Sequence, residues 1–175
     1  IDSKGRYAEL LAQSGQREKA VEIFETWIAK SERIFGDYSR TSSDLKWRLF
    51  NVYASANELE KAYNTVDELY KNAVLDSGVS SDLVHFALVQ RSVIDIKRNN
   101  VLKAERSLKQ AIQFIKEAER QGEVTHQLAQ GALAYINSKA NGIEAGNLEG
   151  LTNSLTYFEK RQYTHPDEHR LLNQW

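Results

Sequence analysis

The chain has 175 residues, of which 41% are hydrophobic and 27% charged, a composition typical of a globular domain rather than a disordered segment. Its 23 basic and 24 acidic side chains give a formal net charge of -1, so we expect neither nucleic acid nor an anionic membrane as a partner. The absence of cysteine excludes disulfides and thiolate metal sites, and no run of about 18 apolar residues is present that could span a bilayer.

The ends and the proline content of the chain add two expectations. The chain begins at Ile1 without an initiator methionine or a signal-peptide core, which indicates a segment of a longer polypeptide. The absence of cysteine leaves the compartment open, and our working expectation is the cytoplasm. Pro166 is the single proline and there are nine glycines, which favours long helices over a turn-rich β fold.

Apolar periodicity and turn residues predict eight helices in chain order. They lie near residues 3–13, 17–35, 43–56, 59–76, 81–98, 101–120, 125–144 and 147–161. Residues 1–161 are therefore predicted to form one helical repeat domain. Residues 162–175 form a C-terminal tail that could begin a further helix.

Four stretches of the chain share one pattern, which is its strongest signal. Each opens with a residue that tolerates the left-handed conformation of a helix end, namely Gly15, Asn57, Asn99 and Gly146. Five residues later stand Ala20, Ala62, Ala104 and Leu151. Four residues further on stand Phe24, Val66, Leu108 and Leu155, and three beyond those Trp27, Leu69, Ala111 and Phe158. The three alanines recur every 42 residues, and the last step is 47 residues. These spacings place the apolar side chains on one helix face.

Hydroxyl side chains mark predicted helix starts. Ser42–Leu45 and Ser80–Leu83 have the same sequence, Ser-Ser-Asp-Leu, and Thr125 precedes another apolar stretch. Serine and threonine accept hydrogen bonds from the first amides of a helix. The distance from Leu45 to Ala62 is 17 residues and that from Leu83 to Ala104 is 21, so we expect the third pair's first helix to be about one turn longer.

A helix pair with a Gly or Asn turn, an alanine five residues later and an aromatic residue four beyond it resembles the tetratricopeptide (TPR) repeat. The 42-residue period, and the long stretch Ala29–Asp37 that runs into a Gly-Asp loop, are similar to the kinesin-light-chain subclass. The resemblance implies an all-α fold, an α-α superhelix or solenoid of about four TPR-like helix pairs.

The same resemblance implies where a ligand binds, because the first helices of TPR pairs line a concave groove. The corresponding polar side chains here are Arg6, Arg48, Asn51, Gln90, Lys97 and Asn137. Arginine and asparagine can hold a peptide backbone or a carboxylate by directed hydrogen bonds. Trp47, Phe86 and Val89 are candidates for apolar anchors. The alternative is that Trp47 belongs to the core together with Phe24, Trp27 and Phe158, as aromatic residues at helical spacing usually do.

The sequence contains no pattern that demands catalysis. It has no nucleophile elbow, phosphate-binding loop or zinc-protease motif. His165 and His169 have a spacing that suits a metal, but Pro166 argues against a helix there and no third ligand completes a set. We therefore predict no enzyme activity, no catalytic residue, no cofactor and no metal.

Two functions follow from this pattern. The first is a protein–protein interaction module that binds a partner protein or peptide through the concave face. The alternative is a sensory or regulatory domain of a bacterial signalling protein that binds a signal peptide and changes shape. Self-association through terminal repeats is a further expectation, for which Trp175 and Leu171–Leu172 offer apolar surface.

Overall fold

Seven α-helices follow one another in the computed structural model, which describes residues 2–119 and 124–140, with side chains for 3–119 and 124–137. No strand occurs in these residues. The helices are α1 (Asp2–Gln13), α2 (Arg17–Phe35), α3 (Arg40–Ser55), α4 (Leu59–Ser77), α5 (Asp82–Lys97), α6 (Val101–Glu117) and α7 (Val124–Ala140). The seven predicted helices in this range are confirmed. The predicted helix at 147–161, the tail at 162–175 and His165, His169 and Trp175 lie outside the described residues.

The chain divides into two units inside α5, between Ala87 and Leu88. Unit 1 contains α1 to α4 and the start of α5, and unit 2 contains the rest of α5 with α6 and α7. In unit 1, α1 contacts α2, α2 contacts α3 and α3 contacts α4, and α1 also contacts α3. In unit 2, α6 contacts α7. The assignment of residues 1–161 to a single domain stays a prediction.

The repeat alanines form the centre of each helix pair. Ala20, Ala62 and Ala104 are completely buried in α2, α4 and α6. The residues four positions later, Phe24, Val66 and Leu108, are also buried. An alanine at this place lets the neighbouring helix approach closely, while the larger residue one turn later fills the space beside it. The predicted apolar face is therefore the packed face of each second helix.

The turns inside the three described helix pairs have one geometry. Gly15, Asn57 and Asn99 all have positive φ, at 85°, 57° and 63°. The amide of the following residue donates to a carbonyl five residues back, with N···O distances of 2.9, 2.9 and 2.8 Å. This bond closes the end of the first helix in the manner of a Schellman motif. The prediction that Gly and Asn end the first helices is confirmed.

Asn57 gives a test of this turn. Asn57→Val is expected to lower the free energy of unfolding by about 1–2 kcal/mol, since a β-branched residue is strained at positive φ. Asn57→Gly is the matched control and should be neutral or slightly stabilising, because glycine adopts this conformation without strain. Urea titration followed by circular dichroism measures both changes. Equal stability of the valine and glycine variants would contradict the role of the turn.

Two predictions about helix starts are wrong. Helix α3 begins at Arg40 rather than near Ser43, because Ser39 is its N-cap and the Ser39 Oγ accepts from the Ser42 amide at 3.2 Å. Helix α7 begins at Val124, so Thr125 lies inside its first turn. The earlier start of α3 also removes the predicted difference in length, since α3 and α5 both have 16 residues. Their first residues, Arg40 and Asp82, are 42 positions apart, like the repeat alanines.

Candidate partner-binding surface

The six predicted binding residues are all on first helices, three in each unit. Arg6 is on α1, and Arg48 and Asn51 are on α3, all in unit 1. Gln90 and Lys97 are on α5 and Asn137 is on α7, all in unit 2. Arg6, Lys97 and Asn137 are exposed, and the other three are half-buried.

Arg48 is held between two carboxylates. Its Nη1 lies 3.0 Å from Oε2 of Glu9 on α1, and its Nε lies 3.1 Å from Oδ2 of Asp44 one turn earlier on α3. The two helices come close at Gly5, where an added Cβ would lie 3.4 Å from Cδ of Arg48. These ion pairs fix the direction of the guanidinium, and they occupy part of its capacity to bind a partner's carboxylate. Arg48 therefore joins α1 to α3 and also contributes to the polar face that both helices share.

Asn51 lies one turn after Arg48 on the same helix. Its Oδ1 is buried and has no hydrogen-bond donor among the described residues. A buried amide oxygen without a donor costs free energy, so such a group is rare in a folded protein. Ser55, one turn further along, is exposed and lines a shallow cleft of about 320 Å³ with Ala12 and Gly15. The α1–α3 face thus offers hydrogen-bonding groups beside an open cleft.

In unit 2 the predicted residues have different surroundings. Lys97 is exposed at the last position of α5. Nearby, the buried carboxylate of Asp95 accepts from Nη1 of Arg98 at 3.3 Å and from Nδ2 of Asn100 at 3.4 Å. Asp95 Oδ2 also lies 3.8 Å from Nζ of Lys103. Asp95 therefore holds the turn between α5 and α6 together with the cations of Arg98 and Lys103.

The three predicted apolar anchors are not equivalent. Val89 is completely buried, so its predicted anchoring role is wrong. Trp47 and Phe86 are half-buried, with ring centroids 5.0 Å apart. Trp47 also makes an edge contact with the buried ring of Phe50 at 5.6 Å. Trp47 thus packs against the core on one side. Among the alternative core residues, Phe24 is buried and Trp27 is half-buried, while Phe158 lies outside the described residues.

The other side of Trp47 lines an open groove that the sequence did not predict. The groove has a volume of about 690 Å³ and lies within unit 1. We call it the Trp47 groove; its apolar lining is Tyr38, Trp47, Leu69, Ala73 and Leu83, and its charged lining is Arg40, Asp44 and Asp76. Tyr38 and Leu83 are each 50% exposed. A signal was available in the sequence, because Tyr38 is a large aromatic residue in a predicted loop and Leu83 lies at the predicted start of a helix.

A buried ion network joins three helices of unit 1. Lys46 of α3 is 4% exposed, and its Nζ lies 2.6 Å from Oε1 of Glu32 on α2 and also pairs with Oε1 of Glu68 on α4. Burial lowers the pKa of Lys46, but the hydrogen bonds and charges of Glu32 and Glu68 outweigh it and leave the pKa above 10.5. Lys46 is therefore charged at neutral pH. Its ion pairs connect α3 to α2 and α4.

Two histidines of the described residues, His85 and His126, are buried. Burial and the charge of Lys116 lower the pKa of His126, so this imidazole is neutral at pH 7. Nε2 of His85 lies 3.0 Å from the carbonyl oxygen of Val79, so this nitrogen carries the proton and donates. Within the described residues no group of three or more His, Cys, Asp or Glu side chains could hold a metal ion. None of the helices described here has the length and apolar character needed to cross a membrane.

Known proteins resemble this chain in structure rather than in sequence. No protein-family model and no curated protein matches it. It is similar to the crystal structure of nearly identical TPR-like repeats from a Podospora anserina protein described as a kinesin light chain, with a TM-score of 0.67 and 17% identity. A second crystal structure of these repeats, carrying a glutamine-to-methionine substitution, gives 0.69 and 18%. Each alignment covers 99% of this chain and 84% of the other.

These similarities agree with the helix pairs, the buried repeat alanines and the left-handed turns of the described residues. They extend over nearly the whole chain, and at this level of identity they report on the fold. The predicted fold class, an all-α solenoid of TPR-like helix pairs, is confirmed, and the chain has the fold of kinesin-light-chain-like TPR repeats.

Proposed function

We propose that the chain is a protein-interaction module that binds a segment of a partner protein on the faces of its first helices. The observation that carries the proposal is the polar face shared by α1 and α3. The Glu9–Arg48 ion pair joins the two helices, and Arg6 on α1 and Ser55 on α3 are exposed. Such a face exposes hydrogen-bonding groups on rigid helices, which lowers the entropy cost of binding.

Arg48 and Asn51 have distinct roles in this proposal. Arg48 is oriented by Glu9 and Asp44, so it presents its guanidinium in one direction with little further loss of rotamer freedom. The Oδ1 of the half-buried Asn51 is inaccessible, so this side chain is proposed to donate through its Nδ2 to a backbone carbonyl of an extended peptide. In unit 2, Gln90, Lys97 and Asn137 are proposed to contact the partner in the same general way.

Other parts of the prediction remain proposals. We propose that the protein acts as a scaffold without catalysis and in the cytoplasm, and that its partner is a protein rather than nucleic acid or membrane. Exposed Tyr7 and Leu10 on α1 supply apolar surface for the proposed self-association. No observation on the described residues favours the alternative, a sensory domain that changes shape on binding a signal peptide.

Affinity capture from source-cell lysate tests the proposed surface. The wild-type protein is compared with the Arg48→Ala/Asn51→Ala variant. The matched control is Arg106→Ala/Asn64→Ala, which removes one arginine and one asparagine from exposed positions on second helices. We expect the wild type and the control to retain a partner that the Arg48/Asn51 variant loses, while all three keep the same helical circular dichroism. Equal recovery by all three proteins would contradict the surface on unit 1.

A further inference from the structure

The Trp47 groove has the properties of a second docking surface. Its lining includes Tyr38 and Leu83, which are each half exposed, and the half-buried Trp47. Apolar surface of this kind loses contact with water when a partner's side chain enters. The groove lies within unit 1. It shares Asp44, the partner of Arg48, with the proposed α1–α3 face, and its other lining residues are separate from those proposed to bind there.

Both flanking loops of the groove are fixed by hydrogen bonds. On one side, the buried Ser42 hydroxyl lies 3.1 Å from the carbonyl oxygen of Asp37, and the Ser39 hydroxyl caps α3. These bonds hold the backbone on either side of Tyr38. On the other side, the His85 imidazole donates to the Val79 carbonyl and holds the loop that precedes Leu83. The groove is therefore formed before any partner binds, which reduces the cost of ordering it.

The charge of the groove selects the chemistry of its occupant. Two carboxylates, Asp44 and Asp76, line it against one guanidinium, Arg40. Asp44 is 61% exposed although it pairs with Arg48. Asp76 accepts a hydrogen bond from the neighbouring Ser77 hydroxyl and has no cation partner among the described residues. The aromatic rings of Tyr38 and Trp47 add negative π-faces, which attract cations and repel anions.

From this arrangement we propose that the Trp47 groove binds a short segment of a partner protein that carries a basic side chain between aliphatic ones. The aliphatic side chains contact Trp47 and Leu83, and the basic side chain lies toward Asp76 and Asp44. The inference goes beyond the proposed function and does not rest on it, because it concerns a different surface and a defined peptide chemistry.

Three matched peptides test the inference: acetyl-Gly-Leu-Arg-Leu-Gly-amide and its Glu and Gln counterparts at the central position. The readout is the indole N–H signal of Trp47 in ¹H–¹⁵N NMR, assigned by its loss in Trp47→Phe. We expect the Arg peptide to shift this signal with saturation, and to bind about threefold tighter than the Gln peptide, the size of an exposed ion pair. The Glu peptide should bind more weakly than the Gln peptide.

Two substitutions in the groove must change binding of the Arg peptide in opposite directions. Asp76→Asn should weaken it about threefold and Arg40→Gln should tighten it about twofold, each by the worth of one exposed charge. Asn51→Ala, on the proposed α1–α3 face, should leave binding of the Arg peptide unchanged, so failure of the two proposals can be told apart. Equal binding of the Arg and Glu peptides, weaker Arg-peptide binding to Arg40→Gln, or no saturable shift of the Trp47 indole would each overturn the inference.

Discussion

Replacing Phe50 by alanine is expected to lower the free energy of unfolding by about 3–5 kcal/mol. Phe50 is buried in α3, and its ring meets the ring of Trp47 edge-on. Helix α3 contacts α1, α2 and α4, so a cavity in this position removes contacts at the centre of unit 1. The loss is a large part of the stability of an ordinary domain, which is about 5–15 kcal/mol.

Urea unfolding followed by tryptophan fluorescence and circular dichroism measures this loss. Phe50→Leu retains most of the side-chain volume and should cost less than about 1.5 kcal/mol. Leu75→Ala is the control for a large-to-small change at the surface, since Leu75 is 69% exposed, and it should change stability by less than about 0.5 kcal/mol. If Phe50→Ala cost no more than Leu75→Ala, the assignment of Phe50 to the core would be wrong.

Removal of the Lys46 ammonium is the second large expected effect. Lys46→Ala should lower the free energy of unfolding by about 2–4 kcal/mol, because Glu32 and Glu68 then face each other without a cation. The cost is below that of a fully buried pair, since the Glu68 side chain is about half exposed and remains partly hydrated. Lys46→Met keeps the aliphatic volume and should cost about half as much.

The double variant Lys46→Met/Glu68→Gln measures how strongly Lys46 and Glu68 are coupled. Neutralising Glu68 should recover stability in the Lys46→Met background and lose stability in the wild type. Urea unfolding of the four proteins gives the coupling free energy directly. A coupling of zero would contradict the ion pair between Lys46 and Glu68.

The Lys46 network also predicts how the free energy of unfolding changes at alkaline pH. The pKa of Lys46 is raised in the folded protein. Its contribution to folding stability is therefore fully present below about pH 10.5 and is lost as the pH rises through the folded pKa. Tyr53 also lowers folding stability as the pH rises, because burial and the charge of Glu25 raise its pKa in the folded protein to about 12. Stability should therefore fall above about pH 10, and the fall should be smaller in Lys46→Met. An identical alkaline decline in both proteins would contradict the role assigned to Lys46.

The repeating features of the fold could be predicted because they depend on local chemistry. A left-handed turn needs Gly or Asn, and Gly15, Asn57 and Asn99 supply it at the ends of α1, α3 and α5. A close helix contact needs a small residue, and Ala20, Ala62 and Ala104 supply it at a constant period. The start of α3 was missed because three serines compete within five residues, and Ser39 rather than Ser42 caps the helix.

Contacts between distant positions could not be predicted in the same way. Lys46 pairs with residues 14 positions before it and 22 after it, on two other helices, so no local pattern reveals its burial. The same holds for Trp47, which the sequence placed either in the core or at a ligand site. In the structure Trp47 both contacts the buried ring of Phe50 and lines the groove, so it belongs to the core and to the surface at once. Binding by the six predicted residues stays a prediction.

The equal turns at Asn57 and Asn99 have a consequence for the length of the chain. Residues 57–98 run from one such turn to the position before the next, and both boundaries have the same left-handed geometry and the same five-residue backbone bond. This 42-residue segment is therefore a cassette that begins and ends in the same backbone state. Duplicating it in tandem would join a helix end to a helix start that already fit each other. Gain or loss of this segment in the gene thus changes the number of helix pairs without requiring a new turn.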